Sequence, residues 1–189
     1  MKNIIIYRSN LKGEIKIPPS KSISHRSIIC AGLSIGISKI HNVVLSEDIE
    51  ATIEALRNLG ATVNVKANTL KINGSRTLQI IDKNFNCSES GSTLRFTIPI
   101  AAAAGGHAIF SGKGALPSRP LTPYYDIFNK QNFKYRNDNG KLPLILDGKL
   151  KPGEFKIKGN VSSQFISGLL FALPLLDGDS KIIITTKLE

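Results

Sequence analysis

The sequence contains no tryptophan, only 6% aromatic residues, two cysteines and three histidines. With so few aromatic residues, a folded core has to consist mainly of Ile, Leu, Val and Ala side chains. The two cysteines lie in separate segments and the histidines show no metal-ligand spacing, which excludes a disulfide framework and a zinc site. We predict that Cys30, which lies in an apolar run, is a core residue, and that each histidine lies at the surface or in a turn.

Long hydrophobic runs are also absent. The longest, residues 168–176, contains Pro174 and is much shorter than the ~20 apolar residues that span a membrane. The first residues of the chain are too weakly apolar for a signal peptide. We therefore expect no membrane association and a cytoplasmic location.

Acidic residues are scarce, since 14 Asp and Glu stand against 25 Lys and Arg, giving a net charge of +11. Such an excess indicates an anionic partner: a nucleic acid, an anionic membrane, or a small substrate with phosphate or carboxylate groups. The basic residues form no dense run, and neither an aromatic RNA-binding signature nor zinc-finger spacing is present. Small anions are therefore at least as good a prediction as nucleic acid, and most of the cations are expected to be solvated.

What the sequence does contain is an internal repeat. Gly-Glu-Ile-Lys-Ile at residues 13–17 is echoed by Gly-Glu-Phe-Lys-Ile at residues 153–157. Ser22 and Ser162 are separated by the same spacing, and Ser90 lies about midway between them. This periodicity predicts three units, over about residues 13–75, 76–150 and 151–189.

Each unit is predicted to consist of a strand, a Ser/Thr-rich turn, an apolar helix, a strand, an amphipathic helix and a hairpin, or β-α-β-α-β-β. The predicted first strands are residues 13–17, 77–81 and 154–158, and the second strands are residues 38–43, 107–110 and 181–185. The first helices, predicted to be buried because they lack a polar face, are residues 27–33, 94–104 and 165–176. The amphipathic helices are residues 47–59 and 123–131, and the hairpins are residues 61–65 with 69–73 and 133–136 with 142–146. The third unit stops after its second strand, which favours a fragment of a larger protein.

Each Ser/Thr-rich turn precedes a helix N-terminus, whose free N–H groups and positive dipole end attract anions. The cations and polar groups at or near these turns are Lys21, Arg26, Arg95, Arg119, Ser20, Ser22, Ser92, Ser162, Ser163 and Gln164. Taken singly, each serine is explained as a helix cap, and Gly91 as the small residue of a tight turn. Three turns in register, with arginines nearby, favour one shared site for carboxylate or phosphate groups.

Four segments carry a family resemblance. They are Pro-Pro-Ser-Lys-Ser-Ile-Ser-His-Arg at residues 18–26, Ser-Gly-Ser-Thr-Leu-Arg at 90–95, Leu-Pro-Ser-Arg-Pro-Leu at 116–121 and Val-Ser-Ser-Gln-Phe at 161–165. Together and in this order they resemble the 5-enolpyruvylshikimate-3-phosphate synthase family. The resemblance implies an α/β (α+β) fold, the inverse α/β barrel of the enolpyruvyl transferases. It also implies two similar domains of three units each, so that residues 1–189 are the N-terminal domain with its third unit truncated. Residues 1–18 are then expected to belong to the second domain.

The activity that this resemblance implies is transfer of the enolpyruvyl group of phosphoenolpyruvate to the 5-hydroxyl of shikimate 3-phosphate, with release of phosphate. No metal or organic cofactor is implied. In this family the acid/base carboxylates lie in the second domain, so the chain alone is expected to be inactive and to carry mainly the shikimate 3-phosphate half of the site. The implied partners are these two anions and the second domain, with no nucleic acid and no membrane.

The resemblance also implies roles for individual residues. Shikimate 3-phosphate would be bound by Lys21, Ser22, Arg26, Ser162, Ser163 and Gln164. Phosphoenolpyruvate would be bound by Lys21, Gly91, Arg119 and Gln164. Lys21 and Gln164 are the implied catalytic residues, and Arg95 is implied to have a supporting role.

Two residues depart from the family pattern. Glu89 brings a negative charge near the anion site, so its side chain is expected to point away or to pair with a cation. His25 stands where the family often has Asn. Gly91, by contrast, keeps the small residue that leaves room for the inhibitor glyphosate, which predicts sensitivity of the full enzyme.

Three other interpretations remain open. The UDP-N-acetylglucosamine enolpyruvyl transferases share the fold and the donor, but they are not expected to show the Ser-Ser-Gln-Phe motif. A basic nucleic-acid-binding module would bind with an affinity that falls steeply with salt. A purely structural repeat protein would bind no ligand.

Overall fold

A computed structural model describes residues 4–10, 12–75 and 77–188 of the chain. Its helices are α1 (Lys21–Leu33), α2 (Glu47–Asn58), α3 (Gly91–Ala104), α4 (Thr122–Lys130) and α5 (Ser163–Ala172). Its strands are β1 (Gly36–Ile40), β2 (Thr62–Lys66), β3 (Thr69–Gly74), β4 (Asn84–Asn86), β5 (His107–Ser111), β6 (Tyr135–Asp138), β7 (Lys141–Asp147), β8 (Glu154–Ile157) and β9 (Lys181–Ile184). Short 3-10 helices cover Leu116–Ser118 and Leu173–Leu175.

The strands form three small sheets that repeat one pattern. The four-stranded sheet has the order β4-β5-β7-β6, in which β4 and β5 are parallel and the other pairs are antiparallel. The sheet β1-β3-β2 is the equivalent of its last three strands, and the parallel pair β8-β9 is the equivalent of its first two. The predicted hairpins, second strands and amphipathic helices are confirmed, with bounds that differ by at most a few residues.

Two of the three predicted first strands are wrong. Residues 13–17, all described by the structure, form no strand, and Ile15 and Ile17 are 87% and 78% exposed. An extended segment without a neighbouring strand has no ladder of hydrogen bonds to hold it. Residues 77–81, also described, lie outside any strand because parallel pairing with β5 begins only at Asn84. The third, β8, is confirmed.

The segment before α1 is exposed and apolar. Ile4, Ile5 and Ile6 are 84%, 74% and 89% exposed, and Tyr7 is 78% exposed. Within the predicted segment 1–18, residues 1–3 and 11 lie outside the described residues. That this segment belongs to a second domain stays a prediction.

The first helices of the three units differ in burial. Helix α3 is buried along almost its whole length, as its apolar sequence predicts, and it packs against α5. Helices α1 and α5 are only partly buried, since Ile23 and Leu170 are 66% and 61% exposed. Cys30 is also exposed, so its prediction as a core residue is wrong. The helical period turns Ile28 and Ile29 inward and leaves Cys30 on the outer face of α1.

Helix α5 approaches α3 closely at Gly168. A Cβ atom at Gly168 would lie under 3.0 Å from the carbonyl oxygen of Arg95 and from the hydroxyl of Tyr124. That hydroxyl donates to the Arg95 carbonyl at 2.5 Å and lies 3.2 Å from the Phe165 carbonyl oxygen. Burial raises the pKa of Tyr124 well above its usual value. Because α4, α3 and α5 meet at this hydroxyl, their relative positions are fixed beside the predicted site.

No helix within the described ranges is both long and apolar enough to cross a bilayer. Nor do the described His, Cys, Asp and Glu side chains gather in a group of three that would hold a metal ion.

Candidate functional site

The three Ser/Thr-rich turns cap the helices that follow them. The side chain of Ser20 accepts from the Ile23 amide at 3.4 Å, and that of Ser162 accepts from the Gln164 amide at 3.3 Å. Ser90 accepts from the Thr93 amide at 3.1 Å. Helices α1, α3 and α5 therefore begin earlier than predicted. As a result, polar residues of the Ser/Thr-rich segments lie in the first helical turn of each helix.

Gln164 connects the third turn with the second. Its side-chain amide donates from Nε2 to Ser92 Oγ at 2.9 Å, and its Oε1 accepts from Arg95 Nη1 at 2.7 Å. The guanidinium of Arg95 also lies over the ring of Phe165, 5.0 Å from its centroid. The amide of Gln164 is thus oriented from both ends by residues of α3.

Gly91, the first residue of α3, lies beneath two guanidinium groups. A Cβ atom there would lie 2.7 Å from Arg119 Nη1 and 3.5 Å from Arg95 Nη1. Partial burial and the nearby charge of Arg119 lower the pKa of Arg95. Among the described carboxylates none forms an ion pair with either arginine. Two like charges at a helix N-terminus without an acidic partner favour the binding of an anion.

Arg26 connects α1 with α5 and α3. Its Nη2 donates to Ser167 Oγ of α5 at 3.4 Å, and its Nη1 donates to the Ser22 carbonyl at 3.1 Å. Its guanidinium lies 5.1 Å from the ring centroid of Phe96 on α3. We refer to Arg26, Arg95 and Arg119 as the arginine cluster.

Lys21 is paired with Asp48, a residue that lies in none of the four motifs. Its Nζ lies 2.6 Å from Asp48 Oδ2, in the first turn of α2, and the two side chains are 59% and 25% exposed. The signal in the sequence is the acidic first turn of α2, but the helix dipole alone also favours acidic residues there. This ion pair adds the N-terminus of α2 to the site.

The structure thus brings most of the predicted residues together. Gly91, Arg119 and Gln164 form one group at the N-termini of α3 and α5, and Ser162 and Ser163 directly precede Gln164. Arg26 contacts α5 at Ser167, three residues after Gln164. Lys21 and Ser22 lie one helical turn before Arg26, and the ammonium of Lys21 is bonded to Asp48 rather than to this group.

The carboxylate of Glu89 packs against the loop that follows β5. It occupies the space that a Cβ atom at Gly114 would take, with less than 3.0 Å between them. Lys113 on the same loop pairs with Glu47. This pairing is the main cause of the raised pKa of Lys113, and the negative charge of Glu89 raises it further. Glu89 itself forms no ion pair among the described residues, so the expected pairing with a cation is not observed.

The prediction that His25 lies at the surface or in a turn is wrong. Its side chain is 0% exposed, and its Nδ1 lies 2.7 Å from Thr52 Oγ1. Because α1 begins at Lys21, His25 falls on the inward face of the helix. Burial lowers its pKa to about 4, so the imidazole is neutral at neutral pH.

Comparison with known proteins gives matches along the whole chain. The family model described as EPSP synthase (3-phosphoshikimate 1-carboxyvinyltransferase) matches residues 6–189. A 3-phosphoshikimate 1-carboxyvinyltransferase of Clostridium kluyveri is 55% identical over 189 residues, which are 100% of this chain and 44% of that protein. The protein of the same name from Clostridioides difficile is 51% identical over 199 residues, covering 100% of this chain and 46% of that protein. The chain therefore spans about half the length of these curated relatives.

Solved structures agree on the fold. A structure of EPSP synthase from Acinetobacter baumannii superimposes with a TM-score of 0.80 at 22% sequence identity, covering 94% of this chain and 41% of that chain. The predicted enolpyruvyl transferase-like α/β fold is confirmed.

Proposed function

Because the chain belongs to the EPSP synthase family, we propose that it is part of an enzyme that transfers the enolpyruvyl group of phosphoenolpyruvate to the 5-hydroxyl of shikimate 3-phosphate. The observation that carries this proposal is the arginine cluster, in which Arg95 and Arg119 lie at the N-terminus of α3 and Arg26 of α1 contacts α5. Its three guanidinium groups have no carboxylate partner among the described residues. Both proposed substrates carry a phosphate and a carboxylate, the groups that arginine binds with two parallel hydrogen bonds.

Shikimate 3-phosphate is assigned to the side of the site between α1 and α5. Ser162 and Ser163 would bind its phosphate, where the first amides of α5 add hydrogen-bond donors and a positive dipole end. Arg26, which already reaches α5 through Ser167, would bind its carboxylate. Ser22 lies on the same turn of α1 and would add a hydroxyl.

Phosphoenolpyruvate is assigned to the side between α3 and the loop before α4. Arg119 would bind its phosphate, and the absence of a Cβ at Gly91 lets that guanidinium lie directly against the first turn of α3. As the phosphate leaves, negative charge accumulates on its oxygens, and a fixed guanidinium stabilises that charge without having to reorient. Gln164, held by Ser92 and Arg95, would reach both ligands from the start of α5.

Lys21 is assigned to the boundary between the two substrates. Its ammonium is bonded to Asp48 in the structure, so binding requires it to exchange or share this carboxylate with an incoming anion. Proton transfer in the reaction needs an acid and a base close to the reacting atoms. We assign that task to the part of the enzyme that the chain does not cover, since the chain spans less than half of its relatives. The chain alone is therefore expected to bind and not to catalyse.

We include a cytoplasmic location in the proposal. Its support is that Cys30 and Cys87 are both free thiols, which suits a reducing compartment. Cell fractionation with an antibody against the chain tests this location, and recovery outside the cytoplasm would contradict it.

The test of the proposed function is calorimetric titration of the 189-residue chain with shikimate 3-phosphate at low and at physiological salt. We expect saturable binding that Arg26→Gln weakens roughly 10- to 100-fold, because a hydrogen bond to a charged group contributes about 1.5–3 kcal/mol. Ser163→Ala is expected to weaken it less. Ser75→Ala is the matched control, since this exposed hydroxyl donates to the Thr77 carbonyl away from the three turns.

Two results would contradict the proposal. One is a folded chain that releases no heat with shikimate 3-phosphate. The other is binding of an RNA oligonucleotide with a steep salt dependence and no competition from shikimate 3-phosphate, which would favour the nucleic-acid-binding module.

A further inference from the structure

A buried chain of polar side chains joins helices α1, α2 and α3 beneath the site. His25 Nδ1 lies 2.7 Å from Thr52 Oγ1, which lies 2.7 Å from Thr93 Oγ1. The hydroxyl of Thr93 in turn lies 2.7 Å from Ser90 Oγ. Three of the four residues are 0% exposed, and Ser90 is 1% exposed. We call His25, Thr52, Thr93 and Ser90 the buried polar chain.

Stability alone does not account for this arrangement. Burying polar groups is unfavourable unless every one is hydrogen-bonded, and apolar side chains would fill the same space without that penalty. Moreover, Nε2 of His25 has no hydrogen-bond partner among the described residues, so the buried polar chain contains one polar atom without a hydrogen bond to protein. A buried polar atom without a protein partner is an exception in a core and calls for an explanation.

Each end of the buried polar chain is adjacent in sequence to a proposed binding residue. Ser90 caps α3 directly before Gly91, and His25 directly precedes Arg26. In the middle, the hydroxyls of Thr52 and Thr93 lie 3.3 Å and 3.2 Å from the carbonyl oxygen of Asp48, whose side chain holds Lys21. The first turns of three helices are therefore tied together from within the core.

Which group donates and which accepts along the buried polar chain follows from the number of hydrogens that each side chain carries. Each hydroxyl carries one hydrogen, and the neutral imidazole carries one on either Nδ1 or Nε2. If Nε2 carried it, a donor would be buried without an acceptor, which is rarer in proteins than an unpaired acceptor. We therefore assign the hydrogen to Nδ1, which donates to Thr52, so that the hydroxyls of Thr52 and Thr93 are free to donate onward.

We propose that His25, Thr52 and Thr93 are positioning residues, which set the distance between the Gly91 end of α3 and the Lys21–Arg26 turn of α1. This inference rests on the proposed function, because it gives the two ends their roles in binding two anions side by side. None of the three residues needs to touch a ligand. Their effect is to keep the two halves of the site at one spacing.

The test compares Thr52→Val with Thr52→Ser. Valine keeps the shape of threonine but removes the hydroxyl, whereas serine keeps the hydroxyl and removes the methyl group. Shikimate 3-phosphate is the probe because its proposed ligands include Arg26 of α1 and Gln164, which α3 holds through Ser92 and Arg95. We expect Thr52→Val to weaken its binding at least about fivefold, and Thr52→Ser to stay within about twofold of the unchanged chain. A role in packing alone predicts that both variants are less stable and that neither changes the affinity of the folded chain.

A second measurement does not depend on ligand binding. In NMR spectra of the unliganded chain, Thr52→Val is expected to shift the Gly91 amide resonance, and Thr52→Ser is not. Gly140, in the turn between β6 and β7, is the control and should not move in either variant. The ring-nitrogen spectrum of the unchanged chain is expected to show His25 protonated at Nδ1.

Each outcome decides one of the two claims. Unchanged affinity and an unmoved Gly91 resonance in folded Thr52→Val would overturn the inference. If the unchanged chain does not bind shikimate 3-phosphate, the proposed function fails, and the Gly91 resonance still decides whether the polar chain positions α3. Should Thr52→Val not fold, Thr93→Val and Thr93→Ser replace the pair under the same criteria.

Discussion

Replacement of Gly91 by alanine perturbs the site at one defined atom. The new Cβ would lie 2.7 Å from Arg119 Nη1, so the guanidinium has to retreat by about 0.7 Å to reach ordinary van der Waals contact at 3.4 Å. Gly91 does not adopt a positive φ, and the nearest atoms belong to the end of a flexible side chain. The protein is therefore expected to keep its fold and to gain up to about 1 kcal/mol of stability, since alanine favours a helix over glycine.

The affinity for phosphoenolpyruvate is expected to fall even though the stability does not. A displacement of this size removes one charge-assisted hydrogen bond from Arg119 to the phosphate, which contributes about 1.5–3 kcal/mol. Because the flexible side chain recovers part of the contact, we expect the lower end, or a loss of about tenfold.

The assay is a double-mutant cycle by calorimetry with phosphoenolpyruvate. Gly91→Ala, Arg119→Gln and the double variant are compared with the unchanged chain, and urea unfolding checks that each is folded. If the alanine acts by displacing the guanidinium, it has no further effect once Arg119 is replaced. Equal losses in both backgrounds, or full affinity in Gly91→Ala, would refute the reasoning.

Two further predictions concern stability. Gly168→Ala is expected to lower the free energy of unfolding by at least about 2 kcal/mol, since its Cβ would overlap the Arg95 carbonyl and the Tyr124 hydroxyl. Urea unfolding measures this change. Gly148→Ala is the control, because a Cβ at Gly148 would make only ordinary contacts. His25 has a folded-state pKa of about 4, lowered by burial against an ordinary 6.5 and set further by the charges of the nearby Asp48, Lys21 and Arg26. The unfolded chain therefore binds the proton first, so the stability from neutral His25 is present above about pH 6.5 and is lost as the pH falls towards 4, by up to about 3 kcal/mol. Unfolding at about pH 7 and about pH 4.5 tests this, and a His25→Gln variant with the same pH dependence would contradict it.

Local sequence patterns were sufficient where neighbouring residues determine the structure. Amphipathic and alternating patterns predicted the positions of the second helices and of the hairpins, and the repeat predicted that the three units share one topology. The first strands of units one and two failed for a different reason. Alternation at residues 13–17 and 77–81 shows that a strand is compatible with the sequence, but a strand also needs a partner, which only the tertiary structure supplies.

The candidate site was predictable to a similar degree. Arginines, serines and Gly91 stood out because each lies in a motif. The pairing of Lys21 with Asp48 and the bond between Arg95 and Gln164 join residues far apart in the sequence, and no local pattern indicates them. The burial of His25 depends on where α1 begins, and the apolar run at residues 27–33 does not indicate that the helix already starts at Lys21.

The sheet β1-β3-β2 leaves the outer side of β1 unpaired among the described residues. A strand edge of this kind exposes backbone N–H and C=O groups to which an extended segment of a second molecule can bind. The net charge of +11 opposes such contact by repulsion between molecules, and salt screens that repulsion. Salt is thus expected to have opposite effects on two properties of the chain. It lowers the affinity for anions, and it promotes association through the edge of β1.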